Sequence, residues 1–265
     1  MAAVASRTPE RAAAAARFIG AGVEALPYKR LPSLATRILI AVPDDSIAGV
    51  AALLAAGMDS GDALHTSGVY GVEVLAPLLN RGVSCATLHP LQTVSSPGQG
   101  VDSLEGAWFG VSGDGSALGW AQSIVKMLAG SVVSVRPDGK PLYHAAAVIG
   151  SNYLVALVEA AVELMERAGV GPSEARSALG PLMRRSLENA LALGPAQALT
   201  GPIQRGDTRT VMAHLEAIDR LDPESAGLYR ALGLYTLKLA QRGGLPATVA
   251  SRVEERLRAG THENG

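Results

Sequence analysis

One cysteine, two phenylalanines and two tryptophans are all that 265 residues hold of those types, and only 18% of the chain is charged, against about 25% in an average soluble protein. Each scarcity excludes something. The lone thiol, Cys85, has no internal disulfide partner and no CxxC neighbour, which removes a disulfide scaffold, a thiolate metal site and a thioredoxin-like pair, and points to a reducing, cytoplasmic setting. Twenty-three Lys and Arg against 24 Asp and Glu give a net charge of −1, which exerts no pull on phosphate backbones or anionic bilayers, so neither nucleic acid nor a membrane surface is expected as a partner. Unbroken apolar runs are short as well. The longest, Ile47 to Ala56, is about half of the roughly 20 residues that a membrane-spanning helix needs. Arg7, Glu10 and Arg11 stand where a secretory signal would begin its apolar core.

What is present is a folded, core-rich chain, 48% hydrophobic, long enough for two domains. The first half alternates short β-prone runs with Ala- and Leu-rich amphipathic stretches, the pattern of βαβ units around a mostly parallel sheet. Strands are expected at Ala2–Ser6, Val23–Ala25, Arg37–Val42, Asp62–Thr66, Val83–Thr87, Trp108–Ser112 and Ser131–Val135. Thr8-Pro9-Glu10 and Asp44-Asp45-Ser46 are helix starts, each with a capping side chain ahead of the first turn. Strand signals cease after Arg136, and Pro141–Ala168, Pro172–Leu193, Asp207–Arg220, Pro223–Gln241 and Pro246–Ala259 carry helical periodicity alone. The expectation is therefore an α/β class chain with a doubly wound sheet domain over 1–136 and an all-α domain over 137–265. The first helix of the second domain is apolar on nearly every face, as a helix buried on all sides would be.

A dinucleotide-binding sheet presents GxGxxG between its first strand and first helix. Gly20-Ala21-Gly22 is the one near match, but a helix precedes it and Pro27 follows closely, so it reads as a helix stop leading into a strand. Ser6-Arg7-Thr8 is better placed. It ends a strand and opens a capped helix, where in a dinucleotide fold an arginine accommodates the 2′-phosphate of NADP and an acid would select NAD. The alternative is that Thr8 merely caps the helix and Arg7 is a solvated charge. On the first reading the sheet is N-terminally truncated, its first strand and glycine loop preceding Met1.

Ser6-Arg7-Thr8, the strand end Ile40 to Asp45, His65-Thr66-Ser67-Gly68, His89-Pro90-Leu91-Gln92-Thr93, Tyr143-His144-Ala145-Ala146 with Ser151-Asn152, and Thr200 to Asp207 with His214-Leu215 together resemble bacterial Rossmann-like oxidoreductases whose C-terminal half is a domain of unknown function. The group is similar to pyrroline-carboxylate reductases, β-hydroxyacid dehydrogenases and an alternative ketopantoate reductase. The resemblance runs over essentially the whole chain and implies NADP(H) as cofactor, a small-molecule substrate, and a homodimer built through the helical domain. It places Pro43 and Asp44 along the cofactor and Ser67 and Gly68 near the nicotinamide.

Hydride transfer to a carbonyl needs a held nicotinamide, a donor to the oxygen that turns negative, and groups that orient the substrate. His89, just past a strand end, is a candidate substrate ligand, or else a turn histidine. On the long helix a 3.6-residue period brings Lys140, His144, Ser151 and Asn152 to the border of one patch, as candidates for catalysis, with the choice of proton donor between His144 and Lys140 open. A Ser-Asn pair in an apolar helix is costly to bury unless it is hydrogen-bonded, whether to substrate, to a neighbouring helix or to a backbone carbonyl. Arg205 is suited to a substrate carboxylate, and Asp207 either assists it or caps the next helix. The expected activity is reduction or oxidation of a small oxo or hydroxy acid, possible alternatives being a non-catalytic nucleotide-binding module or a chain begun too late to bind nucleotide.

Overall fold

The computed structural model describes residues 2–259. Its first unit runs to Leu154 and its second begins at Val155. In the first, β1 (Ala3–Ala5), α1 (Pro9–Ile19) and β2 (Glu24–Leu26) form a right-sized βαβ unit whose two strands pair in parallel. Thr8 caps α1 by accepting from the Arg11 amide at 3.3 Å. Gly20 ends it at φ +128°, a conformation open to glycine, with its amide on the Ala16 carbonyl. The Gly20-Ala21-Gly22 run is thus the stop signal that the sequence indicates.

There follow β3 (Arg37–Ile40), α2 (Ile47–Ala55), β4 (Asp62–His65), α3 (Ala76–Leu79), β5 (Ser84–Pro90), α4 (Pro97–Leu104), β6 (Trp108–Gly113), α5 (Gly115–Met127) and β7 (Ser131–Ser134). The strands lie in the order β3-β4-β5-β6-β7, every neighbouring pair parallel except β5 and β6. The five-stranded sheet is mostly parallel, as expected, with β6 running against β5; the departure is that β1-β2 forms a separate two-stranded sheet. Helices cover both faces, as burial of two apolar faces requires. Ile38, Ile40 and Cys85 pack with Ile47, Ala51 and Leu54 of α2 on one side; Leu64, Leu88, Phe109 and Val111 pack with Ala117, Ala121 and Val125 of α5 on the other.

The helical part opens with α6 (Lys140–Gly150) and α7 (Asn152–Arg167). These replace the single helix expected over Pro141–Ala168. The break is at Ser151, with φ −126° and ψ −71°, whose hydroxyl donates to the Ala147 carbonyl at 2.7 Å and so competes with the helical ladder. α6 belongs with the sheet, because its covered side lies against β5 and β6, and this puts the division between units at 154/155 where the loss of strand signal alone suggests 136/137. Nor is the helix buried on all sides. Leu142, Ile149, Tyr153 and Val155 are 77%, 62%, 58% and 71% exposed. Taken together, Pro137–Arg167 is long and apolar enough to cross a bilayer, with mean hydropathy 1.7 over its most apolar stretch; a count of unbroken apolar runs misses it because Ser151, Asn152 and Glu159 interrupt the sequence.

The second unit continues with α8 (Pro172–Leu193), α9 (Pro195–Ala198), α10 (Pro202–Arg205), α11 (Thr208–Asp219), α12 (Pro223–Arg242) and α13 (Ala247–Arg258). Its core joins Ile203, Val211, Leu215, Leu237, Val253 and Leu257.

Leu64 has no exposed surface, whereas Val101 is 61% exposed. Leu64→Ala is expected to cost about 2–5 kcal/mol of stability and Val101→Ala less than about 0.5 kcal/mol, measured by urea unfolding. Equal, small losses would place Leu64 outside the core.

Candidate active site

The site is assembled at the C-terminal ends of β4 and β5. His65, the last residue of β4, has no exposed surface. The Ser67 amide donates to its Nδ1 at 3.2 Å, which leaves the ring proton on Nε2, and Nε2 donates to the Gly71 carbonyl at 2.9 Å. Ser67 Oγ accepts from the amides of Val69 and Tyr70, and Glu73 accepts from the amide of Gly71. The turn after β4 is therefore closed by its own side chains, and the Ser67 carbonyl is fixed. Onto that carbonyl Lys140 donates from Nζ at 3.1 Å.

Lys140 opens α6 and is fully buried. Besides Ser67, its ammonium has Thr87 Oγ1 at 3.5 Å and the Tyr143 ring centroid at 5.5 Å. Burial pushes its pKa down to about 8, while the carboxylates of Glu73 and Asp44 oppose that. Burial, with the Lys140 charge nearby, likewise lowers His65, although the Gly71 hydrogen bond and the same two carboxylates act the other way.

Alternation along β5 sends Thr87 and His89 to one face. Thr87 Oγ1 accepts from the Ser112 amide at 3.1 Å and pairs with Ser112 Oγ at 3.0 Å. His89 Nδ1 is 2.8 Å from Tyr143 Oη, and the His89 ring stands edge-on to His144 with centroids 5.9 Å apart. Burial first, then the charges of Lys140 and His144, push His89 down to about 4 against the pull of Asp44. Two glycines make room for these rings: a Cβ on Gly110 would strike the Tyr143 phenol, and one on Gly68 would strike His144 and His89. Over these groups lies a cleft of about 710 Å³, bordered by His89, the 90–95 loop, His144, Ala147, Ser151 and Asn152.

Of the residues that the sequence singles out, Lys140, His144, Ser151, Ser67, Gly68 and His89 come together here, and Asn152 stands at the cleft's far rim. Ser151 Oγ, which donates to the Ala147 carbonyl at 2.7 Å, also lies 3.0 Å from Asn152 Oδ1. Pro43 and Asp44 follow β3, and the Asp44 charge is felt at His65, His89 and Lys140. Ser6, Arg7 and Thr8 lie at the end of β1, in the separate sheet; Arg7 is exposed and Thr8 is the α1 cap. Arg205 and Asp207 belong to the second unit. There Asp207 caps α11, accepting from the Thr210 amide at 3.1 Å and hydroxyl at 2.7 Å, which also holds its carboxyl below the usual range. His214 bonds Tyr229 at 2.7 Å, as an interhelical histidine.

Thr87 and Ser112 escaped the sequence reading, and His65 and Tyr143 entered it only within motifs, without a role of their own. Two signals were available. Thr87 is two residues before His89 on a strand, and Lys140, Tyr143, His144, Ala147, Val148 and Ser151 follow the i, i+3, i+4, i+7 spacing of one helix face.

Residues 2–90 match the model of a Rossmann-like domain, and residues 107–236 that of a domain of unknown function, DUF2520. No curated protein matches the sequence. Among solved structures the fold is similar to protein TM1727 from Thermotoga maritima, at 23% identity and a TM-score of 0.69, covering 90% of each chain. It is also similar to 1-pyrroline-5-carboxylate reductase from Streptococcus pyogenes, at 15% identity and 0.55, covering 96% of this chain and 86% of that one. A third likeness is to a reductive aminase from Aspergillus terreus in complex with NADPH and ethyl-5-oxohexanoate, at 20% identity and 0.58, covering 97% and 83%. At these identities the likeness is one of fold.

The buried ammonium makes stability depend on alkaline pH. The folded pKa of Lys140, about 8, lies below its ordinary 10.5, so between those values the unfolded chain binds more protons and stability rises with pH. The rise is expected to reach up to about 3 kcal/mol and to flatten in Lys140→Met, measured by urea unfolding from pH 7 to 10. Parallel curves for the two proteins would mean that Lys140 is not buried as an ammonium.

Proposed function

Because this chain belongs to the proteins that join a Rossmann-like domain to a DUF2520 domain, we propose that it is an NADP(H)-dependent oxidoreductase acting on a small oxo or hydroxy acid, of which a ketopantoate-like compound is one candidate. The observation that carries the reading is the convergence of a buried ammonium and two imidazoles at the ends of β4 and β5, where ligands bind in open α/β sheets.

The residues fit the cofactor at two places. Arg7 is exposed and unhindered at the end of β1, suited to the 2′-phosphate through its planar fork, with Ser6 beside it. Pro43, Asp44, Ser67 and Gly68 stand at the strand ends nearer the imidazoles. The glycine turn that leads from a strand into a helix, Gly113-Asp114-Gly115 between β6 and α5, lies beside the start of β5 and so away from His89, its backbone closely packed on Ala86 and Ser84, while Gly20 and Gly22 lie at the end of α1. When bound, NADPH supplies a hydride to the carbonyl carbon; the C=O electron pair then passes to oxygen, which needs stabilisation and a proton. His89 and His144 border the cleft where that oxygen would lie. The Lys140 charge beneath them favours the developing anion, and His144, which makes no hydrogen bond to the described protein, is free to hand over a proton. Ser151 and Asn152 orient the far end of the substrate.

The uncovered apolar side of α6 and α7 supports a homodimer. Leu142, Ile149 and Tyr153 offer a charge-poor face that a second copy, through a two-fold axis, would cover with the same face. A buried free thiol agrees with a cytoplasmic protein.

NADPH consumption with a panel of 2-oxo acids and cyclic imines tests the activity. Turnover is expected with NADPH and at least about tenfold less with NADH, a preference that Arg7→Ala abolishes; kcat for reduction is expected to fall above about pH 8 as Lys140 loses its charge. Nucleotide binding without turnover of any substrate would favour a non-catalytic module. Light scattering is expected to show a dimer that Leu142→Glu turns into monomer, and a monomeric parent protein would remove the second copy.

A further inference from the structure

His89 is bonded on one side only. Its Nδ1 meets Tyr143 Oη at 2.8 Å, while no group of the described residues bonds Nε2, which faces Gly68. No buried side-chain nitrogen or oxygen among the described residues lacks a partner, so Nε2 opens to the cleft that His89 borders. Which nitrogen carries the proton follows from the phenol. Tyr143 Oη sits over the Cα of Gly110, the register partner of His89 across β5 and β6, and has His89 Nδ1 as its one hydrogen-bond partner among the described residues. With no other acceptor bonded to the phenol among the described residues, the hydroxyl proton is given to Nδ1. Were Nδ1 protonated, the phenol would have to accept from it, and its own proton would have no acceptor among the described residues.

We infer that Tyr143 is a positioning residue that locks His89 as the Nε2–H tautomer, so that His89 presents a neutral hydrogen-bond donor, not an acid, to the substrate oxygen. This rests on the reductase reading of the cleft. Other groups around the ring act in the same direction. Lys140 beneath and His144 beside it disfavour a second positive charge, Asp44 alone favours one, and the balance holds His89 near 4, so the imidazole is uncharged at neutral pH. A neutral donor does not lose its proton to the oxygen it binds, which assigns the proton delivered at the end of the reaction to another group. The arrangement also gives Gly110 a reason to lack a side chain, since any Cβ there would displace the phenol that sets the tautomer. Burial raises the Tyr143 phenol to about 12, so it stays a donor across the working range.

Nitrogen NMR of the full chain labelled with 15N-histidine tests this without any turnover. At pH 7 the wild-type His89 is expected to show a bare, hydrogen-bonded Nδ1 and a protonated Nε2, unchanged down to about pH 5, and Tyr143→Phe is expected to yield a mixture of tautomers at an unaltered Tm. A protonated Nδ1, or an imidazolium at pH 7, in the wild type would overturn the inference, whether or not the variant folds; so would an unchanged tautomer in a folded Tyr143→Phe. In the reductase assay, His89→Gln, whose amide can offer an N–H, is expected to keep activity within about tenfold, and His89→Ala to lose about 100-fold in kcat, as removal of one donor to a developing oxyanion does. Equal losses in the two would overturn the donor role. A fixed tautomer in a protein that reduces none of the panel would leave the positioning by Tyr143 standing and remove the reductase reading instead.

Discussion

An ammonium with no exposed surface has to be satisfied by the protein, and the contact that does most of this is Lys140 Nζ on the Ser67 carbonyl. Leaving that charge unpaired would cost several kcal/mol. The bond therefore dictates where α6 begins relative to β4, and the turn between Ser67 and Gly71 is built so that the carbonyl cannot swing away. His65 holds the turn from below through two bonds and Ser67 Oγ holds it from within. Once Lys140 is anchored, Tyr143 and His144 fall one turn later onto the end of β5, and His89 acquires both of its ring neighbours.

Charge at this point is graded by depth. Lys140 lies beneath, His89 and His144 above it, and Asp44 and Glu73 act on it from exposed positions. Burial is the first cause for His65, His89, Lys140 and Tyr143 alike, and in each it favours the neutral form. A neutral His89 imidazole above the buried Lys140 ammonium thus brings a polar ring and a positive charge to the same side of the cleft.

Much of this was legible in the sequence because it obeys local rules. The caps at Thr8 and Asp207, the stop at Gly20, and the strands ending near His65 and His89 depend on residues within a few positions of one another. What was not legible depends on distant ones. Nothing near Tyr143 says that it lies on Gly110, because that contact joins a helix to a strand 33 residues away in sequence. The end of the first helix at Ser151 was hidden by alanines and valines on both sides, and only the competition of the serine hydroxyl for Ala147 O reveals it. The reversal of β6 left no trace in composition, since a strand reads alike in either direction. Apolar content suggested a helix buried all round, whereas the covered stripe of α6 is the polar one.

That inverted stripe has a consequence for how the chain comes to be folded. In most surface helices collapse alone turns the correct side inward, because the greasy side is the inner one. Here indiscriminate collapse would seat Leu142 and Ile149 against the sheet and leave Lys140, Tyr143 and His144 in water. The right rotation of α6 is selected by hydrogen bonds to Ser67 and His89, and these exist only after β4 and β5 have paired. A chain leaving the ribosome therefore needs β4 and β5 paired before this helix can choose its face.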